Sequence, residues 1–307
     1  MIPVEHVSEL AFAESGGDEH SNHISAASSL VRIGDTLFVV ADDELQLGVF
    51  TSLGRDEGTR VTLMKSEPPE SEEARKEDKA DLESLIALPS AEGWPHGALF
   101  ALGSGSGPKR NKGALIPLDA DGAPTQDRKE VDLSPLYDHI RKSIPELNIE
   151  GAVVLESSVW LLQRGDNAEG RNAVLTLDLA KMQRSIASGS IDKDVLGETR
   201  FYDLGRLKGV DLAFSDASLL EDGRIAISAS AEDSKGGSDG GYVGSALGVM
   251  TPDGDVISLE PVDLDVKLEG MTARIEGDQI VFMLVTDADA PEVPSPLLEA
   301  KIPAGAL

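Results

Sequence analysis

The chain contains no cysteine, which excludes disulfides, zinc thiolates and a thiol nucleophile. Basic charge is scarce: Lys and Arg number 27 against 55 Asp and Glu, for a net charge of −28. Nucleic acid and anionic membrane surfaces both reward cationic faces, so neither is an expected partner. Aromatic residues make up 4%, and Trp94 and Trp160 read as packing residues rather than ligand platforms. No apolar run approaches the length of a membrane span. The opening MIPVEHVSELAF has neither a basic start nor a continuous apolar run, so it is not expected to be a signal peptide. A soluble, cytoplasmic monomer is expected, unless a leader has been removed.

Nucleophile chemistry is thin as well. The GSGSG of residues 103–107 has Gly105 where a nucleophile elbow needs Ser. His20 and His23 lie three apart in an acidic loop and read as a surface turn. No Ser-His-Asp set can be argued into proximity, and no catalytic residue is assigned.

What is present is one hairpin, repeated. Leu268–Asp289 reads LEGMTARIEGDQIVFMLVTDAD. An acid and a small residue open it, then come an alternating strand, a Gly277-Asp278 turn, and a strongly apolar strand ending in acids. Ile24–Asp43, Leu82–Ser104, Ile149–Asp166 and Ser215–Asp233 repeat the phrase. Anchored at Ser25, Glu83, Glu150, Asp216 and Glu269, the copies recur at intervals of roughly 53–67 residues. A period near 60 that contains mainly strand signals predicts four-stranded propeller blades. The expected fold is all-β: a single domain over residues 1–307, a β-propeller of five four-stranded blades. Six blades, or a β-sandwich with coincidental hairpins, are the alternatives.

The last copy supplies only three strands, ending with Pro296–Ile302. The unpartnered strand Val4–Phe12 is predicted to pair there as the fourth, closing the ring and removing a sheet edge. Asp222-Gly223 and Asp253-Gly254 predict tight hairpin turns. Short helices are expected over Leu136–Ser143 and Ala180–Ala187. The charged run Ser66–Ala80 reads as a surface connection.

Equivalent positions on inner propeller strands ring one channel mouth. Glu83, Glu150, Asp216 and Glu269, with Ser25, are predicted at that mouth. Converging carboxylates must be protonated, paired with cations or bound to metal. Oxygen-only donors suit Ca²⁺ or Mg²⁺ rather than zinc. The alternative is a structural ring, in which the acids cap backbone N–H groups and pair with Lys79, Lys208 or Lys267. Loops on the same face add ligand-binding candidates. Lys109 and Arg110, with Lys112, lie in the Gly-rich stretch GSGSGPKRNKG, which lacks the ending of a P-loop. Arg164 and Arg171 follow the third hairpin. Asp42 and Asp43 end the first hairpin, and Asp287 and Asp289 end the fifth. Glu232–Tyr242 is long and Gly-rich enough to act as a lid.

The phrases NIEGAVV, KLEGMTA and DLESLIA resemble the Glu-Gly-led blades of phytase-like β-propellers, a grouping that includes bacterial domains named for esterase-like activity of phytase. Stretches such as VADDELQLGVF, LQRGDN and VTDADAPEVPSPLL also resemble an uncharacterised bacterial family in that neighbourhood. The resemblance implies a propeller with a channel-mouth site, and acidic Ca²⁺ ligands as in its phosphatase members. The matching positions are Glu83, Glu150 and Glu269. Ser25 and Asp216-Ala217 depart from the pattern. The expected activity is hydrolysis of a small anionic (phospho)ester, assisted by Ca²⁺, with Arg164 and Lys109 orienting the anion. The alternative is a non-catalytic propeller that binds a small molecule or a protein at the same mouth.

Overall fold

The computed structural model of the protein describes residues 1–13, 22–64, 80–165, 171–233, 241–264, 266–287 and 292–305. Strands dominate it. After β1 (Ile2–Glu9), the chain builds a sheet from β2 (Ala27–Ile33), β3 (Thr36–Ala41), β4 (Gln46–Phe50) and β5 (Thr59–Thr62). A second comprises β6 (Leu82–Leu88), β7 (Ala98–Gly103), β8 (Lys112–Pro117) and β9 (Lys129–Asp132). A third comprises β10 (Ile149–Val154), β11 (Ser158–Gln163), β12 (Asn172–Asp178) and β13 (Leu196–Tyr202). A two-stranded hairpin that the hydrophobic pattern does not announce follows, β14 (Arg206–Leu207) and β15 (Val210–Asp211). Next come β16 (Ala213–Leu219), β17 (Ile225–Asp233), β18 (Gly241–Met250) and β19 (Val256–Asp263). The chain ends with β20 (Leu268–Glu276), β21 (Gln279–Thr286) and β22 (Pro296–Pro303).

The N-terminal strand closes this last group. β1 runs antiparallel to β22, with Val4 opposite Ala300 and Glu5 opposite Glu299. Its first residues also pair in parallel with β19, Ile2 opposite Val262. The last two strand groups therefore join into one eight-stranded sheet, and the C-terminal hairpin keeps no open edge beside β22.

The inner strands β2, β6, β10, β16 and β20 each pack against the next, and β20 packs back on β2. Each neighbouring pair of strand groups shares its own apolar core. Phe38, Leu85 and Leu99 fill the first seam, Phe100 and Leu161 the second, and Trp160 and Phe214 the third. Leu247 and Phe282 fill the fourth, and Val39 and Val285 the one that closes the circle. Burial follows from this arrangement. Middle strands lie between two neighbours, so ALFALG in β7 is buried throughout, while the outer β13 is largely exposed. This all-β architecture is consistent with a β-propeller.

Both expected helices form. α1 (Ser134–Ile140) and α2 (Leu179–Ser188) cover the seam between the second and third sheets with Tyr137, Ile140, Met182 and Ile186. The Asp178 carboxylate caps α2 by accepting from the Lys181 N–H at 2.8 Å. Among the described residues no helix is long and apolar enough to cross a membrane. The charged run expected as a connection falls mostly outside the described residues, as do Lys79, His20, Asp289 and the middle of the expected lid.

Candidate functional site: the channel mouth

The inner strands share a local irregularity. In each, two residues face one on the neighbouring strand, a β-bulge. Register makes Ser28, Glu83, Glu150, Ser215 and Glu269 equivalent, each followed by Ser29, Ser84, Gly151, Asp216 and Gly270 respectively. Two anchors therefore shift. Ser28, not Ser25, holds the first position. Asp216 stands with the small residues, one place beyond the glutamates, and Ser215 occupies the glutamate position. The bulge is common to all five strands, and the residues that precede it, Ala27, Leu82, Ile149, Phe214 and Leu268, fix the register: Ser215 follows Phe214 as Glu83 follows Leu82, so Asp216 falls one place later.

Asp216 consequently points elsewhere. Its Oδ1 accepts from the Ala217 N–H at 2.8 Å. Its Oδ2 accepts from the Met271 N–H and the Ser29 hydroxyl, both at 3.0 Å. The Ala152 N–H donates to it as well. The Ser29 oxygen in turn accepts from the Leu85 N–H at 3.1 Å. Leu85, Ala152, Ala217 and Met271 are equivalent residues just past the bulges, so two side chains collect four backbone donors from four inner strands. Burial pushes the Asp216 carboxyl well above its usual range, and the donors oppose that shift. Among the described residues, its partners are donors from the protein itself. That matches the cap role of the structural alternative.

The small residues have a steric cause. A Cβ on Gly151 would lie 2.7 Å from the Asp216 Cα, and one on Gly270 would lie 2.5 Å from the Ser29 Cα. The Glu-Gly pairs mark where inner strands approach backbone to backbone.

The three glutamates sit in two settings. Glu150 and Glu269 belong to an ion-pair chain. Arg164, buried at the end of β11, places Nη1 3.4 Å from Glu150 Oε2 and Nη2 on Glu232 Oε2. Lys267 bridges Glu232 at 3.0 Å and Glu269 at 2.6 Å. Burial disfavours the Lys267 charge, but Glu269, Glu150 and Glu232 outweigh it and hold the ammonium's pKa up. Burial pushes the Glu269 carboxyl to about 7 despite Lys267. Glu232, at the end of β17, is burdened by burial yet held below its usual value by Arg164 and Lys267.

Glu83 has a different environment. Burial, then Glu150, Asp42, Asp81 and Glu269, push its carboxyl well above the usual range. Asp42, Asp81 and Glu83 offer oxygens that all lie within 4.8 Å of one another. Asp81 is fixed in place by the Ser104 hydroxyl and by Arg110, 3.1 Å away. It adopts a positive φ of 54°, an uncommon backbone for a residue with a side chain. These hard, oxygen-only donors with excess negative charge fit a cation such as Ca²⁺.

The remaining candidates spread out. Arg110 meets Asp81, while Lys109 is exposed on the 3-10 turn Pro108–Arg110. Lys112 pairs outward with Glu130, and Arg171 lies over the Phe201 ring. Asp287 and Asp42 both adjoin Ala26, one through a β-bridge and one through its N–H. Lys208 donates to the Val243 carbonyl instead of a mouth acid. Asp81 and Glu232 are new members. Their only signals are an acid directly before the second inner strand and the penultimate residue of SASAED.

Solved structures similar to the chain are diverse in activity. An α-L-arabinofuranosidase from Podospora anserina, in complex with cellotriose, aligns over 98% of both chains with a TM-score of 0.53 at 14% identity. A putative phosphatase from Bacteroides thetaiotaomicron aligns over 97% of this chain and 78% of its own, with a TM-score of 0.46 at 11% identity. Glutaminyl cyclase from Myxococcus xanthus covers 98% of both chains at 0.47 and 10%. At such identities the likeness concerns the fold alone. No curated protein matches the sequence significantly. Residues 23–302 match the model of DUF6929, and the chain belongs to that family of unknown function.

Proposed function

We propose that the channel mouth is a hydrolytic site for a small anionic ester, assisted by a hard divalent cation. The observation that carries this reading is Glu83, packed among four other carboxylates and forming a close oxygen cluster with Asp42 and Asp81. Those three would hold the cation, Ca²⁺ by their chemistry. When bound, such a cation polarises an ester oxygen and lowers the pKa of water. Arg164 and Lys267 border the same mouth and supply cationic N–H donors for the anion. Glu269, pushed up to about 7, exchanges a proton near neutrality, as a general acid or base requires. The reading takes the fold as a five-bladed propeller, in keeping with the closed circle of inner strands. The Glu-Gly-led blades that resemble phytase-like propellers support it too, at Glu83, Glu150 and Glu269. A net charge of −28 favours a soluble monomer with a small ligand over nucleic acid or an anionic membrane.

The test combines calorimetry, thermal unfolding and turnover of generic phosphate and acyl esters, with chelator and with Ca²⁺ restored. Ca²⁺ is expected to release binding heat and raise Tm. The stabilisation is about 2.7 kcal/mol at a hundred times its Kd. Glu83→Gln is expected to lose both effects, and turnover is expected to need the ion. No heat, no Tm shift beyond matched NaCl and no turnover would sink the reading. A binding module is the second reading. It is favoured by the chain Glu150–Arg164–Glu232–Lys267–Glu269, in which every charge already meets a counter-charge. Ligand-induced stabilisation without turnover would mark it.

A further inference from the structure

Away from the mouth, the seam between the first and last strand groups holds a cavity of about 150 Å³. Arg32 of β2, Arg274 of β20 and Arg55 line it, beside apolar walls from Leu53, Val281 and Met283. Arg32 and Arg274 lie four and five residues beyond the mouth bulges, roughly 13–17 Å along the strands.

Three arginines around one small cavity are notable in a chain of net charge −28. Burial and the positive charge of Arg274 lower the Arg32 pKa, against Asp35 and Glu276, which raise it. Arg32 donates its Nε–H to the Gly34 carbonyl at 2.7 Å and reaches exposed Asp35 at 3.5 Å. The acids on the wall are already engaged: Glu276 meets Arg274, and Glu299 meets Lys301 at 2.6 Å. The Arg274 Nε is buried without a hydrogen-bond partner. Arg55 makes no ion pair among the described residues. A bound anion would supply an acceptor for that Nε and relieve the like-charge repulsion.

We propose that this seam binds a small organic carboxylate. The carboxylate sits on the arginines, which match its planar, two-oxygen geometry. A short aliphatic tail packs against Leu53, Val281 and Met283. A cavity of about this volume admits a benzene-sized body and no more.

The protein is titrated calorimetrically with acetate and with butyrate, and Tm is followed against NaCl of equal ionic strength. Butyrate is expected to bind about tenfold more tightly than acetate, from its two extra buried methylenes. Arg55→Gln and Arg274→Gln are each expected to weaken butyrate about tenfold or more. Arg55 is exposed, so its variant keeps the fold and the test intact. Glu83→Gln, at the mouth, is expected to bind butyrate as wild type does. Equal binding of acetate and butyrate would overturn the proposal. So would undiminished binding in both arginine variants, or a wild type with neither heat nor a Tm shift beyond NaCl.

Discussion

The Ser29 hydroxyl donates to Asp216 Oδ2 at 3.0 Å across 187 residues of sequence, tying the first inner strand to the fourth. Around this bond four equivalent backbone N–H groups find their acceptors. Asp216→Ala would orphan three of them at once. An unmade buried hydrogen bond costs about 1–3 kcal/mol, so a loss of at least about 3 kcal/mol is expected. Ser29→Ala, which orphans one, is expected to cost about 1–2 kcal/mol. Urea unfolding of both variants and the double mutant measures the coupling. A midpoint unmoved by Asp216→Ala would show that the bonds carry no stability.

Gly151 and Gly270 test the close approach of inner strands. The atoms that an added Cβ would meet first are backbone Cα atoms, which cannot swing aside. Gly151→Ala and Gly270→Ala are each expected to destabilise by about 1–3 kcal/mol, the usual cost of overpacking. Gly93 has open space around its position, so Gly93→Ala carries only the strain of its φ of 101°. Equal losses at all three positions would leave no special role for strand contact.

The repeat was legible because hairpins leave strong local marks: alternating apolar residues, Asp-Gly turns and acids at strand ends. Three blade glutamates were legible for the same reason. Asp216 was not, since an acid one residue past the glutamate position reads as equivalent until strand pairing fixes the register. Sequence alone aligned its charge with the glutamates, whereas its place in the strand aligns it with glycine. Lys267, two residues before Glu269, was legible as a counter-charge and pairs with it at 2.6 Å; Glu232 was hard to weigh because its partner Arg164 lies 68 residues away. Asp81 was missed because a lone acid before a strand is common. The arginine-lined seam drew no notice because Arg32 and Arg55 come from the first strand group and Arg274 from the last, at opposite ends of the sequence.

Removing residues 1–9 should reveal how much the closing strand contributes. β1 fills the space between β22 and β19 and buries Ile2, so its loss opens edges on both. A marked drop in Tm is expected, together with self-association at high protein concentration. Differential scanning calorimetry and light scattering check the two effects. A truncated chain with the wild-type Tm and a monomeric profile would show that the pairing is dispensable.

The last prediction concerns pH. The folded Glu269 carboxyl titrates near 7, against 4.5 for an ordinary glutamate, because burial disfavours its charge. Below 4.5 both folded and unfolded chains hold the proton, and the stability from proton retention is fully present. Between 4.5 and 7 the unfolded chain releases its proton while the folded chain keeps it. Stability therefore falls as pH rises through this window, and the contribution is gone above it. Glu44, pushed up to about 7 by burial and Asp43, acts in the same direction. Glu269→Gln removes one of these protons from the balance and leaves Glu44 untouched. The stability of wild type relative to Glu269→Gln is expected to fall by on the order of 1–3 kcal/mol from pH 4.5 to 7. Chemical unfolding at several pH values, with chelator present, measures that difference. A constant difference across the window, or one that rises, would mean that the carboxyl is ionised throughout, held by Lys267, and Glu269 would lose its place as the group that exchanges a proton near neutrality.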